Sequence, residues 1–191
     1  PVASTDRIGA TTARVAHATR DAGVTGAEHE AAPVVIPDAL RAQVRAEVAR
    51  ADRESKDPYQ RQTVINSAAY LLTSAGLIDE SDQLLTAELS RSHSPYYFMS
   101  GLAENASKRG DATAALGWYE KAYIASDGPA TRLQWGARYV SALVELSPHD
   151  AKRVEKAARD VIGEHDDHPD PYYTHNRRSP ARTGKALTSW T

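Results

Sequence analysis

The stretch "GLAENASKRGDATAALGWYEKAYIASDGP", Gly101 to Pro129, reads as a helix, a tight turn and a second helix. Gly110 falls where the first helix must end, a position that favours a residue with positive φ. Ala115 is small, as a site crossed by a neighbouring helix requires, and Tyr119 and Ala122 fall on the face expected to point to the core. The turn glycine has a counterpart: Gly76 and Gly110 are 34 residues apart, and so are Pro95 and Pro129.

Aligning the chain on that spacing brings apolar residues into columns. Ile65, Met99 and Leu133 coincide, as do Ala68, Leu102 and Gly136. Ala69, Ala103 and Ala137 form a third column, and Leu72, Ala106 and Val140 a fourth. The columns are spaced i, i+3, i+4, i+7, which is one face of a helix. In the second helices, Ser81 matches Ala115, Leu84 Trp118, Leu85 Tyr119 and Leu89 Tyr123. A period of 34 residues is that of the tetratricopeptide repeat, a helix–turn–helix unit. The opening stretch resembles that repeat at Leu102, Ala103, Gly110, Ala115, Tyr119 and Ala122. It departs at Met99, where Trp is common, and at Ala106, where Tyr is common. The preceding unit has Ser81 and Glu88 where alanines are usual, and the pair over 129–163 keeps the register only in its first helix. The competing reading is a plain antiparallel helical array whose shared spacing is accidental.

The rest of the chain fits an all-α class. Ala, Arg, Glu, Leu and Gln dominate, and these favour helix. The one β-branched run, Val34-Val35-Ile36, is fenced by Pro33 and Pro37 and reads as a connector. Helices are expected over 4–21, 38–55, 58–75, 79–91, 95–109, 111–126, 129–146 and 149–163, with a loop over 22–36. Asp57-Pro58, Ser94-Pro95 and Ser147-Pro148 each place a capping side chain before a proline suited to the first helical position. Asp150, three residues after Ser147, suggests a weak capping box there, and Asp38 and Asp79 are further candidate N-caps. Short linkers imply antiparallel neighbours. The expected architecture is a set of antiparallel helical hairpins stacked as a short tetratricopeptide-like superhelical array. It forms one domain over 1–163: N-terminal helices over 1–57, then two to three degenerate repeats over 58–163. Beyond it, 164–191 reads as an irregular tail, because Pro180 and Gly184 interrupt any helix there.

The same alignment produces a polar column. Asn66, Ser100 and Gln134 coincide, then Tyr70, Glu104 and Arg138, then Thr73, Ser107 and Ser141. In a stacked array the first helices line the concave face, the usual partner surface. These positions with Tyr97 are the candidate sites for an extended protein or peptide segment. Tyr70 and Tyr97 would supply buried area, and Glu104 and Arg138 charge-assisted hydrogen bonds. The alternative is a solvated outer face, which every amphipathic helix has.

Composition narrows the classes of function. With 191 residues the chain is long enough to bury about 70% of its unfolded surface. The formal charge of −2 argues against a nucleic-acid binder driven by a basic face. No run of about 18 apolar residues exists, so no membrane insertion is expected. The absence of cysteine excludes disulfides and thiol chemistry by this chain. Starting at Pro1 with no signal-peptide pattern, it reads as an excised or processed piece of something longer. Phosphate loops, G-x-S-x-G and H-E-x-x-H are absent, so no catalytic residue and no cofactor are assigned. His165, Asp166, Asp167, His168, Asp170 and His175 could offer N and O ligands to a divalent metal. They lie where helix signals fade, so a hydrated acidic linker is the simpler reading. A metal-dependent enzyme built on that tail is the remote alternative. Glu28, His29 and Glu30 read as loop solvation, and Asp79, Glu80 and Asp82 as carboxylates at a helix start. Arg177, Arg178, Arg182 and Lys185 form a small basic patch, Tyr96, Tyr97 and Phe98 core and groove wall, and Trp118 and Trp135 core.

Longer phrases carry a second resemblance. "VRAEVARADRESKDPYQRQTVINSAAYLLTSAGLIDESDQLL", "SRSHSPYYFMSGLAENASKRGD" and "GPATRLQWGARYVSAL" resemble the C-terminal helical region of a bacterial thioredoxin-family group, over residues 38 to 163. A looser echo lies in "TDRIGATTARVA", and "YYTHNRRSPARTGKALTSW" matches least. The resemblance implies a thiol–disulfide parent of the cell envelope whose redox Cys-x-x-Cys lies outside this chain. It implies a thioredoxin-like domain of the same parent as one partner, and carries no catalytic residue onto these positions. A purely structural role, packing on that domain or forming a homodimer, is the main rival to partner binding.

Overall fold

In the computed structural model, residues 2–21, 36–164 and 178–190 are described. Their regular structure is entirely helical: α1 (Val2–Asp21), α2 (Asp38–Glu54), α3 (Pro58–Ser74), α4 (Ile78–Glu88), α5 (Tyr96–Lys108), α6 (Ala112–Ala125), α7 (Pro129–Leu146), α8 (Ala151–Gly163) and α9 (Arg178–Trp190). The protein is all-α, and consecutive helices pack on one another from α1 to α4 and again from α5 to α8. The connector expected over 22–36 lies outside the described residues except for Ile36, which is buried.

The glycine spacing that opened the sequence reading is a repeated helix stop. Gly76 and Gly110 have φ of 75° and 77°. After α3, the Leu77 amide donates to Leu72 O at 2.9 Å and Gly76 to Thr73 O at 3.1 Å. After α5, Asp111 donates to Ala106 O at 3.0 Å and Gly110 to Ser107 O at 2.9 Å. This is the same double closure by a left-handed residue at two points one period apart. The aligned apolar columns are buried as a face: Ile65, Leu133, Ala68, Leu102, Ala69, Ala103, Ala137, Leu72, Ala106 and Val140. Met99 is half-buried at the edge of the core.

The helix starts follow the sequence expectation at α3 and depart from it at α2, α4, α5 and α8. Asp57 caps α3, accepting from the Gln60 amide at 2.9 Å, and Pro58 follows as expected. Asp111 caps α6 in the same way, accepting from Ala114 at 2.9 Å. Asp150, not Ser147, caps α8, and Ser147 instead ends α7. Asp38 and Asp79 lie inside the first turns of α2 and α4, where a carboxylate meets the positive end of the dipole, and the N-cap positions are Pro37 and Leu77. At α5 the helix starts one residue after Pro95, and the Ser94 hydroxyl accepts from Tyr96 Oη at 3.0 Å.

The tail expected to be irregular carries α9. Pro180 is the third residue of that helix, inside the first turn, where amides have no intrahelical acceptor and proline removes nothing. Gly184 costs about 1 kcal/mol against alanine. Packing offsets it: Leu187 and Trp190 lie against the core, and Trp190 Nε1 donates to Pro148 O at 2.7 Å.

The chain divides into two compact units, Pro1–Ser92 and His93–Thr191. The first holds α1–α4 around Ile8, Val15, Val44, Val48, Val64, Leu71 and Leu72. α3 is its central helix, touching α1, α2 and α4. The second holds α5–α9, with α7 central against α6, α8 and α9. Its core includes Leu133, Trp135, Tyr139, Val140, Leu143, Val154 and Val161.

Each unit has a matching arginine clamp. Arg61, three residues after Pro58, donates through Nη1 to Asp52 O at 2.9 Å and Ser55 O at 3.1 Å. It also pairs with Glu88 of α4, Nε to Oε2 at 2.9 Å. Arg132, three residues after Pro129, donates through Nη1 to Ser126 O at 3.2 Å and Tyr123 O at 3.5 Å, and pairs with Glu164, Nε to Oε2 at 2.7 Å. In both, one guanidinium satisfies carbonyls at the end of the preceding helix, nine and six residues back, and a carboxylate at the end of the following one.

Candidate functional site

The polar column does not stay together. Its residues fall into a groove in each unit and a set already committed to packing.

In the second unit, α5 presents Glu104, Ser107 and Lys108, at i, i+3 and i+4, along one face. α7 presents Arg138, Ser141, Ala142, Glu145 and Leu146 by the same helical logic. With Tyr119 of α6 they line a groove of about 440 Å³. Three pairs in this lining are one repeat apart: Glu104 and Arg138, Ser107 and Ser141, Lys108 and Ala142. The groove is thus built by equivalent faces of two first helices.

Arg138 is anchored in the wall. Its Nη1 donates to Ser100 Oγ at 2.8 Å and to Glu104 Oε1 at 3.3 Å, and its guanidinium lies 5.3 Å from the Trp135 ring centre. Ser141 donates to Ala137 O within its own helix at 2.9 Å. Lys108 and Glu145 make no ion pair among the described residues, and the Tyr119 hydroxyl makes no hydrogen bond among them. The half-buried Tyr119 has its pKa raised, first by burial and then by the charges of Glu104 and Glu145, with Arg138 acting the other way. Tyr119 packs against the core, as expected, and its half-buried ring also lines the groove; Ala122 on the same face is fully buried.

In the first unit, Asn66, Ser67 and Tyr70 of α3 line a second, more apolar groove of about 500 Å³ with Ile8, Gly9 and Thr12 of α1. Asn66 and Thr12 spend donors on carbonyls of their own helices, Gln62 O at 2.9 Å and Ile8 O at 2.8 Å. Tyr70 is 59% exposed.

Other predicted site residues do different work. Thr73 Oγ1 lies 2.9 Å from Ser81 Oγ, and both lie near Ala69 O, so Thr73 is tied into the α3–α4 interface. Ser100 is buried as the acceptor for Arg138. Tyr97 packs edge-on to Trp135 at 5.2 Å and lies 5.1 Å from Tyr96. Gln134 is half-buried and lines neither groove. Trp118, expected in the core, is half-buried with Lys121 Nζ 4.4 Å from its ring centre.

Sequence reasoning missed Lys108, Tyr119, Glu145 and Leu146. Helical spacing from Glu104 and Ser141 would have found Lys108 and Glu145. Comparing equivalent positions passed over them, because Lys108 aligns with Ala142 and Glu145 with Asp111.

Of the acidic residues at the start of α4, Glu80 ties two helices together. Glu80 accepts a forked pair from Arg45 of α2, Nε at 3.0 Å and Nη2 at 2.7 Å. The tail group His165, Asp166, Asp167, His168, Asp170 and His175 lies outside the described residues, as do Glu28, His29, Glu30 and Arg177; the side chains of Arg178 and Arg182 are likewise undescribed. Among the described residues no His/Asp/Glu group is arranged to hold a metal. No helix there is long and apolar enough to cross a membrane. Compared with family models, curated proteins and solved structures, the chain matches none of them.

Proposed function

We propose that this chain is a non-catalytic helical-repeat domain that holds an extended segment of a protein partner in the α5–α7 groove. The observation that carries the reading is the convergence of repeat-equivalent residues, Glu104 with Arg138 and Ser107 with Ser141, on one groove with Tyr119. A segment lying there would meet free hydroxyls at Ser107 and Tyr119 for its backbone and charges at both walls. Anchored groups such as Arg138 cost little further ordering on binding. The thiol–disulfide context is part of the proposal and rests on the resemblance of the three quoted phrases; a thioredoxin-like domain of the parent is the partner it names.

The test uses three forms of the intact chain against a bacterial cell-envelope extract, with bound proteins identified by mass spectrometry. Ser107→Trp fills the α5–α7 groove, and Tyr70→Ala alters the α1–α3 groove. Partners held by the wild type and by Tyr70→Ala, and lost with a folded Ser107→Trp, are expected. Partners retained by Ser107→Trp would overturn the reading.

A further inference from the structure

Of the four charges that line the α5–α7 groove, two are spent on each other. Arg138 donates to Glu104 and to Ser100, and its guanidinium lies over Trp135. The other two, Lys108 and Glu145, make no ion pair among the described residues, and they do not reach one another. They are of opposite sign, both exposed, and on opposite walls, Lys108 on α5 and Glu145 on α7. The lining as a whole is balanced in charge. A ligand of one sign would be attracted at one wall and repelled at the other, whereas a ligand carrying both signs meets a partner at each.

Their placement also sets a spacing. The Glu104–Arg138 contact holds repeat-equivalent residues of α5 and α7 at one level. Lys108 is equivalent to Ala142, so Glu145 lies three residues further along, about 4.5 Å at the helical rise. In an extended segment running along the groove, successive residues rise about 3.3 Å and point to opposite sides. Adjacent residues therefore match the offset and face opposite walls, while residues two apart face the same wall.

We propose that the groove selects an extended segment in which an acidic and a basic residue are adjacent, the acidic one paired with Lys108 and the basic one with Glu145. This rests on the groove being the binding surface. Both pairs are exposed, so each contributes little alone, and together they give a modest preference that weakens with salt.

The test measures binding of the intact chain, at low salt, to five pools of octapeptides capped at both ends. Outer positions are randomised over uncharged residues, and the centre is fixed as Glu-Arg, Glu-Gln-Arg, Glu-Glu, Arg-Arg or Gln-Gln. The Glu-Arg pool is expected to bind about threefold or more tighter than the Gln-Gln pool, with the other three near Gln-Gln. In the double variant Lys108→Gln with Glu145→Gln, the Glu-Arg and Gln-Gln pools should bind alike. A preference that survives the double variant would overturn the pairing. Equal binding of Glu-Arg and Glu-Gln-Arg would overturn the opposed-wall geometry, and tightest binding of Glu-Glu or Arg-Arg would overturn the need for both signs. Equal binding of all five pools, abolished by Ser107→Trp, would overturn the charge selection and keep the groove. Binding to no pool, or binding untouched by Ser107→Trp, would overturn both.

Discussion

Gly136 and Tyr123 fix how closely the helices of the second unit approach. A Cβ on Gly136 would lie 2.5 Å from Val161 Cγ2 and 3.1 Å from Tyr123 Cε2. Val161 is fully buried, so neither α7 nor α8 can yield cheaply. Gly136→Ala should therefore destabilise the protein by about 1–3 kcal/mol, read as a lower midpoint in urea unfolding; an unchanged midpoint would mean the interface is looser than drawn. Tyr123 donates to Glu164 at 2.6 Å, and its pKa is raised, chiefly by burial and next by that bond. Tyr139 is raised too, first by burial. A raised phenol is neutral in the fold when the unfolded chain has begun to ionise. Its contribution is present in full below about pH 10 and lost as pH rises through the raised value. Urea midpoints should be flat from pH 8 to 9.5 and fall above it, with a shallower fall for Tyr123→Phe. At this scale the sequence was half legible. Spacing placed Glu104, Ser107, Arg138 and Ser141 on one face, but spacing does not say which polar group is already bonded, and Ser100 and Thr73 were. Tyr119 was legible as a core contact but not as a groove wall, because spacing does not show that a ring packed on the core is only half-buried.

Among the elements, helix stops were more legible than starts. A left-handed turn needs glycine, so Gly76 and Gly110 announce themselves, whereas Ser, Asp and Pro serve several positions near a helix start. That ambiguity explains Ser147, which ends α7 while Asp150 caps α8. The arginine clamps were not legible at all, because their acceptors are backbone carbonyls that any residue supplies. They also bear on a departure from the repeat pattern: Glu88, where alanine is usual, is buried with its charge met by Arg61 and, at 3.3 Å, by Arg91. The Arg61 pKa is raised, first by its bond to Glu88. Arg61→Gln would leave the buried Glu88 with the exposed Arg91 at 3.3 Å as its remaining ion pair and free two carbonyls at the end of α2. A loss of about 2–4 kcal/mol is expected, partly recovered in the double variant with Glu88→Ala. Additive losses in this double-mutant cycle would mean the two residues act separately.

For the whole molecule, period and composition sufficed for an all-α chain of hairpins, because one buried face per helix leaves few other solutions. Division into two units was harder to read, since the repeat columns run through both and the break falls between α4 and α5. The continuous polar column expected from the alignment likewise gives way to two grooves of different character, one mixed in charge and one largely apolar. The central claim is that the mixed groove holds a protein segment, and it has a direct test. A mixture of randomised octapeptides, capped at both ends, is titrated into isotope-labelled intact protein, and amide and side-chain shifts are mapped by NMR. The account predicts saturable shifts gathered at Ser107, Lys108, Tyr119, Ser141 and Glu145, with Ser67 and Tyr70 unmoved. Shifts gathered at Ser67 and Tyr70, or scattered over both units without saturation, would contradict it.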